Sequence, residues 1–357
     1  MVVDAVMDNQ GAWPLPWLAD AVRETLAAQR GHALLLHASA GSGALPFALT
    51  LAQAWLCEGP GEIRPCGHCG SCRLVQSRLH PDLCVLLPEV QRREHGWLLA
   101  EDKPEGDEAK RKPSKQIRID EVRGLIDWST KTSARGRGKV AVLHPAESLN
   151  LQSANALLKT LEEPPPGTRL LLTAGDPALL LPTVRSRCQR QRLNGPSGAV
   201  AAAWLVAQAG ISEADAQVLL AACSGRPLEA LALQQAGVDA AAWSALPQAV
   251  AQGHAAALSG WPLPRALDAL HKLCHDALAR ANGAAAHYFP TPRVPASGSV
   301  TLLADWSREL GRVARHDDHP WHEGLLLEAL VKAGAQALAP SAGTRPAAQR
   351  GLATLRP

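Results

Sequence analysis

The chain has 357 residues, 46% hydrophobic and 19% charged, with eight cysteines and a net charge of +3. That length predicts about two or three domains with a sizeable core, and the composition excludes a disordered or supercharged chain. No apolar run is long enough to span a membrane, the opening MVVDAVMDNQGAWPLPW does not read as a secretory signal, and +3 is too small by itself to argue for a DNA-wrapping surface; the expected location is cytoplasmic.

Helical spacing of Trp17, Leu18, Ala21, Val22 and Leu26 predicts a first helix within residues 13–30. The apolar run 33–37 then ends in a glycine turn, Gly41-Ser42-Gly43, and a second helix is expected over 45–57. Strand, glycine loop, helix is the opening of a βαβ unit. Further strands are expected over 83–87, 139–144, 169–174 and 188–193; apolar runs without alternation suit strands buried on both faces. The clearest helix is 150–163, with Asn150 as its N-cap, Ala154, Leu157, Leu158 and Leu161 on one face, and a stop at Pro164-Pro165-Pro166. Strands alternating with helices predict a mostly parallel, doubly wound sheet. The charged stretch 89–115 reads as a solvated insertion. Beyond about residue 195 the pattern turns Ala- and Leu-rich and helical, with a further boundary expected near 240 and a disordered tail over 339–357.

Cys57, Cys66, Cys69 and Cys72 form a C-x8-C-x2-C-x2-C array. Four soft thiolates suit tetrahedral zinc in a closed structural site, and Gly67 and Gly70 let the backbone curl around one ion. His68 is an alternative ligand that lies between the cysteines. Four unrelated buried thiols, or a redox C-x-x-C, are the competing readings; the clustering of all four weighs against both.

Residues 38–45 stand where a phosphate loop would stand. Gly41 and Gly43 remain, but Ala44 occupies the place of the lysine and Leu45 that of the Mg²⁺-binding hydroxyl. The strand over 139–143 ends in His144-Pro145 rather than in acidic residues. Two independent losses predict a tight turn that binds no ATP productively and a chain with no ATPase of its own.

LLLHASAGSG, CGHCGSC, HPD (80–82), IRIDEVR (117–123), KVAVLHPAESLN (139–150), ANALLKTLEEPP (154–165) and LLPTVRSRCQ (180–189) together resemble the delta-prime family of bacterial DNA polymerase III clamp-loader subunits. The resemblance is strong over 13–193 and weaker beyond, where CSGRPLEALAL (223–233) and HPWHEGLLLEALV (319–331) look like lid and collar segments. It implies an α/β plus all-α chain: an AAA+ RecA-like parallel-sheet domain over 1–194, with a zinc module (57–72) and the charged insertion (89–115), a helical lid over 195–240 and a helical collar over 241–338. It also implies partners: gamma or tau and delta subunits in a five-membered ring, and through the complex the sliding clamp and primed DNA, with no membrane. The chain would then be a subunit of a DNA-directed DNA polymerase, a nucleotidyltransferase, acting in replication.

Of the motif Ser186-Arg187-Cys188, the resemblance assigns Arg187 as an arginine finger that reaches a neighbour's ATP in trans. The plainer reading is local packing or a surface salt bridge, and Arg185 is a nearby competitor. Leu228 stands where active relatives carry a sensor arginine, with Arg226 two residues away. Lys131, Arg135, Arg137 and Lys139 form a basic loop that either faces DNA phosphates or is a solvated turn. His316, Asp317, Asp318, His319 and His322 read as a helix cap rather than a metal cluster, and Trp204, Trp243, Trp261, Trp306 and Trp321 as packing residues. Two rival functions are an active gamma-like ATPase and a zinc-dependent DNA-binding module.

Overall fold

The computed structural model describes residues 6–39, 41–61, 64–97, 113–296, 299–315 and 322–340. It divides into two compact units, 1–200 and 201–357, so the division falls a few residues after the turn expected at 194–198.

The first unit is built on five parallel strands: β1 (Ala33–Ala38), β2 (Leu83–Leu86), β3 (Lys139–Leu143), β4 (Thr168–Ala174) and β5 (Gln189–Leu193), in the order β2-β3-β4-β1-β5. β1, β3 and β4 are buried almost throughout, which is why they read as unbroken apolar runs. Alternate side chains face opposite ways. Leu35, Ala141, Leu143, Leu170 and Leu172 pack against α5 (Ile119–Thr130), α6 (Leu151–Glu162) and α7 (Pro182–Arg185) through Val122, Leu125, Leu157, Leu161 and Val184. The opposite face is covered by α2 (Ala44–Leu56), itself packed on α1 (Leu18–Ala28). Asn150 caps α6 as expected, its side chain accepting from Ser153 N at 2.9 Å.

The charged stretch corrects one expectation. Residues 89–95 are not a solvated loop: they form α4 (Glu89–His95), after the short α3 (Gly70–Gln76). Arg92 is 3% exposed, and its guanidinium donates to Leu87 O at 2.7 Å and Glu121 Oε1 at 2.5 Å. Glu89 pairs with Arg93 at 2.7 Å and accepts from Ser114 N at 3.0 Å, tying both ends of the insertion to the domain. Residues 98–112 of that stretch lie outside the described residues.

The second unit holds α9 (Glu213–Ala222), α10 (Pro227–Gln235), α11 (Ala240–Ala251), α12 (Leu263–Ala281), α13 (Val300–Ala314) and α14 (Glu323–Leu338); α8 (Gly198–Ala209) leads into it. The boundary expected at 240 falls at the start of α11, inside this unit. Trp204, Trp243 and Trp306 are buried, and Trp261 stacks on Trp243. Trp306 donates to Leu330 O at 3.0 Å, and only a glycine fits opposite it: a Cβ on Gly334 would lie 2.6 Å from the indole. Asp276, fully buried, accepts the N–H groups of His287, Tyr288 and Phe289 and so pins the segment after α12. His322 caps α14 through Leu325 N. Residues 316–319, Trp321 and tail residues 341–357 lie outside the described residues. Among the described residues no helix is long and apolar enough to cross a membrane.

Candidate metal centre and arginine motif

Cys57 ends α2, Cys69 caps α3 and Cys72 lies in its first turn, so two helix termini bring the array together. The Sγ atoms of Cys57, Cys66, Cys69 and Cys72 all lie within 4.8 Å of one another, with Cys57–Cys69 and Cys66–Cys72 both at 3.9 Å. Backbone N–H groups point at the sulfurs: Gly59 and Cys66 donate to Cys57, Cys69 to Cys66, and Glu58 and Cys72 to Cys69, at 3.3–3.4 Å. Burial alone would raise a thiol's pKa and does so at Cys57 and Cys72. At Cys69 it is outweighed by N–H bonds from Cys72 and Glu58, which bring that thiol down to about 6. Four convergent sulfurs with donors on their thiolate forms can hold a metal ion. Gly59 packs close beside them, a Cβ there lying 3.1 Å from the Cys66 sulfur, and Gly67 (φ 80°) is required, since a Cβ there would lie 2.3 Å from Asp8 O. His68 is exposed and stands outside the cluster.

The centre is fastened to the sheet by a network that spacing in the sequence did not reveal. Asp82, 1% exposed at the entrance to β2, accepts from Ala134 N at 2.8 Å, Arg135 N at 2.9 Å and Ser133 Oγ at 3.0 Å. Despite burial, these donors hold its carboxyl below the usual range. His80 Nδ1 accepts from Asp82 N, so its Nε2–H donates to Ser71 Oγ at 3.0 Å. Arg135 donates to the same Ser71 oxygen and forks onto Glu58, next to Cys57, with both bonds at 2.8 Å. The basic loop is therefore partly spent inside the protein. Lys139 is buried as well, donating to Trp128 O at 2.7 Å above the indole ring.

At the glycine turn after β1, Gly41 and Gly43 take φ of 71° and 95°, and Ala44 opens α2. Ala40 lies outside the described residues. Leu45 is buried, Trp17 Nε1 donates to Ser42 O at 3.2 Å, and Leu15 sits against Gly43, 2.5 Å from where a Cβ would be. At the end of β3, His144 Nδ1 meets Thr173 Oγ1 at 2.6 Å; burial, with a lesser contribution from His95, lowers its pKa to about 4. The imidazole is therefore neutral at pH 7.

Ser186 closes α7, Cys188 is buried in the core cluster, and Arg187 between them turns outward. Its Nε donates to Glu162 Oε1 at 2.7 Å, its Nη2 to the same oxygen, and its Nη1 to Thr183 O at 2.8 Å. The local salt bridge is what Arg187 makes in this chain by itself. Arg185 donates to Pro177 O at 3.3 Å; Arg226 is held by Glu229 at 2.8 Å and by Cys223 O. The β1–β5 register pairs Leu34 with Gln189 and Ala38 with Leu193, so Arg187 sits level with the start of β1 while the glycine turn follows its end. Five to six residues of strand separate the two levels, about 17–20 Å.

A five-stranded parallel sheet covered on both faces, a glycine turn after β1 and an inserted four-sulfur centre define a doubly wound α/β domain with a cysteine cluster that can hold a metal ion. The sequence matches the family described as DNA polymerase III, delta subunit, over residues 18–197, and the chain belongs to that family. It is 38% identical over 212 residues to DNA polymerase III subunit delta' of Pseudomonas aeruginosa, covering 59% of this chain and 58% of that one. It is 34% identical over 302 residues to subunit delta' of Escherichia coli, covering 81% and 82%. DNA polymerase III subunit tau of E. coli is 34% identical over 157 residues, covering 44% of this chain and 20% of tau. The alignment thus spans little more than half the length of the Pseudomonas relative.

Proposed function

We propose that this chain acts as a delta-prime-like subunit of a DNA polymerase III clamp loader. It hydrolyses no ATP itself; it lends Arg187 to the ATP site of a neighbouring gamma or tau subunit. The ring, which also holds a delta subunit, places the sliding clamp on primed DNA in the cytoplasm. One observation carries this reading: Arg187 projects at the end of the sheet opposite the chain's own glycine turn. From there its guanidinium is too far from the glycine turn to serve a nucleotide bound at that turn. A guanidinium is always charged and forks onto phosphate oxygens, so in a neighbour's site it stabilises charge developing on the γ-phosphate. Cys188, locked in the core, fixes the height of the finger, and Glu162 holds it until a phosphate replaces the carboxylate.

Ala44, Leu45 and the neutral His144 support the silent role, since lysine, hydroxyl and acid are all replaced. This weighs against the gamma-like ATPase. Arg135 and Lys139, engaged by Glu58 and Trp128, weigh against a DNA-gripping zinc element. Zinc is the metal we assign to Cys57, Cys66, Cys69 and Cys72: a tetrahedron with Zn–S of about 2.3 Å has edges of about 3.8 Å, close to the 3.9 Å pairs present here. Its role is structural, bracing the loop 131–138 through Glu58 and Ser71. The helices over 195–240 serve as lid and those over 241–338 as the collar that joins the ring. The test is Arg187→Ala in the reconstituted complex, with ATP turnover measured in the presence of clamp and primed DNA. A fall supports the finger, and unchanged turnover rejects it.

A further inference from the structure

Parallel strands bring their N-terminal ends to one edge of the sheet, and at that edge lies a cleft of about 430 Å³. Arg30 and His32 reach it from the turn before β1, Arg137 from the loop before β3, and Thr168 and Arg169 from the start of β4. No carboxylate among the described residues lines it. Among the described residues, the guanidinium groups of Arg30, Arg137 and Arg169 make no ion pair and no hydrogen bond. Arg92, Arg93, Arg135 and Arg187, by contrast, are each matched to a glutamate. Arg169 lies against the Trp55 ring, 5.3 Å from its centre, and burial lowers its pKa. It is a partly desolvated cation with no counter-charge among the described residues. Thr168 is 4% exposed, and its Oγ1 has no hydrogen-bond partner. The His32 ring is fixed by donating Nε2–H to Leu161 O at 2.7 Å.

The backbone is shaped to the same end. Gly136, Gly138 and Gly167 all have positive φ, and a Cβ on Gly138 would lie 2.3 Å from Gly167 O, so only glycine lets the two loops meet behind the cleft. Three arginines that line one cleft, with no acid beside them among the described residues, repel one another unless an anion joins them. Planar guanidinium forks beside a threonine hydroxyl match tetrahedral phosphate oxygens.

We propose that this cleft is a phosphate-binding site, separate from the degenerate phosphate loop, which follows the opposite end of β1 about 20 Å away. A backbone phosphate of a nucleic-acid strand and a free polyphosphate share this chemistry. The site uses neither Arg187 nor the cysteine centre, so it stands or falls apart from the proposed function.

The test titrates the full chain with tripolyphosphate by calorimetry, and with a labelled single-stranded oligonucleotide by anisotropy at two salt concentrations. Arg137→Gln and the double variant Arg137→Gln with Arg169→Gln are compared with the parent. Arg137 is exposed, so its replacement leaves the fold intact even where loss of Arg169 disturbs the Trp55 contact. At least one probe is expected to bind one-to-one, at least fivefold more weakly with Arg137→Gln and tenfold or more with the double variant. Oligonucleotide binding that tripolyphosphate displaces, with a salt slope reduced by about one per arginine removed, assigns the strand backbone as the source; tripolyphosphate binding alone assigns the free anion. If neither probe binds at millimolar concentration, or if Arg137→Gln leaves binding unchanged, the proposal is overturned.

Discussion

Arg187 and Glu162 form an ion pair across the corner between α7 and α6, with the arginine side chain 30% and the glutamate 49% exposed. The pair is open to solvent on one side, and the residue after the arginine is anchored in the core. Exposed pairs of this kind contribute about 1 kcal/mol or less. Glu162→Gln is therefore expected to lower the urea-unfolding free energy by no more than about 1 kcal/mol and to leave the stimulated ATPase of the assembled complex intact. A loss of turnover matching that of Arg187→Ala would show instead that Glu162 positions the finger.

The cysteine centre predicts a measurable metal. The purified chain is expected to carry about one zinc per molecule by elemental analysis, and Cys66→Ser to lose it. Ligand loss removes binding free energy that is also folding free energy, so the melting temperature of the variant should fall by about 5 °C or more. A variant that melts like the parent would make the centre dispensable for the fold.

Arg92 and Glu121 form the most deeply buried of the ion pairs described, at 3% and 11% exposure. Removing Glu121 takes a carboxylate away from a guanidinium that is only 3% exposed. Glu121→Ala should cost about 3 kcal/mol in urea unfolding, against less than about 1 kcal/mol for a mutation of the exposed Asp20–Arg23 pair. Equal effects would contradict the burial argument.

His144 gives the fold a pH dependence of definite sign. Its folded pKa, about 4, lies below the ordinary 6.5, so between those values the unfolded chain binds the extra proton. Stability is then lost as pH falls from about 6.5 towards 4. His95, which faces His144 and is also lowered by burial, adds in the same direction. Urea midpoints at pH 7 and pH 5 should differ less for His144→Gln than for the parent; an equal difference would show that other groups dominate this window.

The parts of the fold that were legible are those set by local pattern. β1, β3 and β4 are apolar runs because both of their faces are covered, and Asn150 announces α6 by its capping chemistry. The cysteine cluster was legible because its four cysteines lie within sixteen residues of chain. α4 was misread because its charges are satisfied by a residue far away in sequence, Glu121, and nothing local distinguishes a matched arginine from a solvated one. The HPD motif is visible in the sequence, but the role of Asp82 is not, for the same reason: its donors lie about fifty residues on. Cys57 could be read from spacing, whereas the direction of Arg187 depends on the β1–β5 register, which only the assembled sheet provides.

Arg187 is proposed to serve a site outside its own chain. The most direct measurement is single-turnover ATP hydrolysis by the reconstituted clamp loader, with clamp and primed DNA, comparing Arg187→Ala with the parent. Hydrolysis at the neighbouring site is expected to slow by about 10³-fold and to drop out of the fast phase, while the variant chain keeps its melting temperature and its place in the complex. A fast phase of undiminished rate and amplitude would contradict the account.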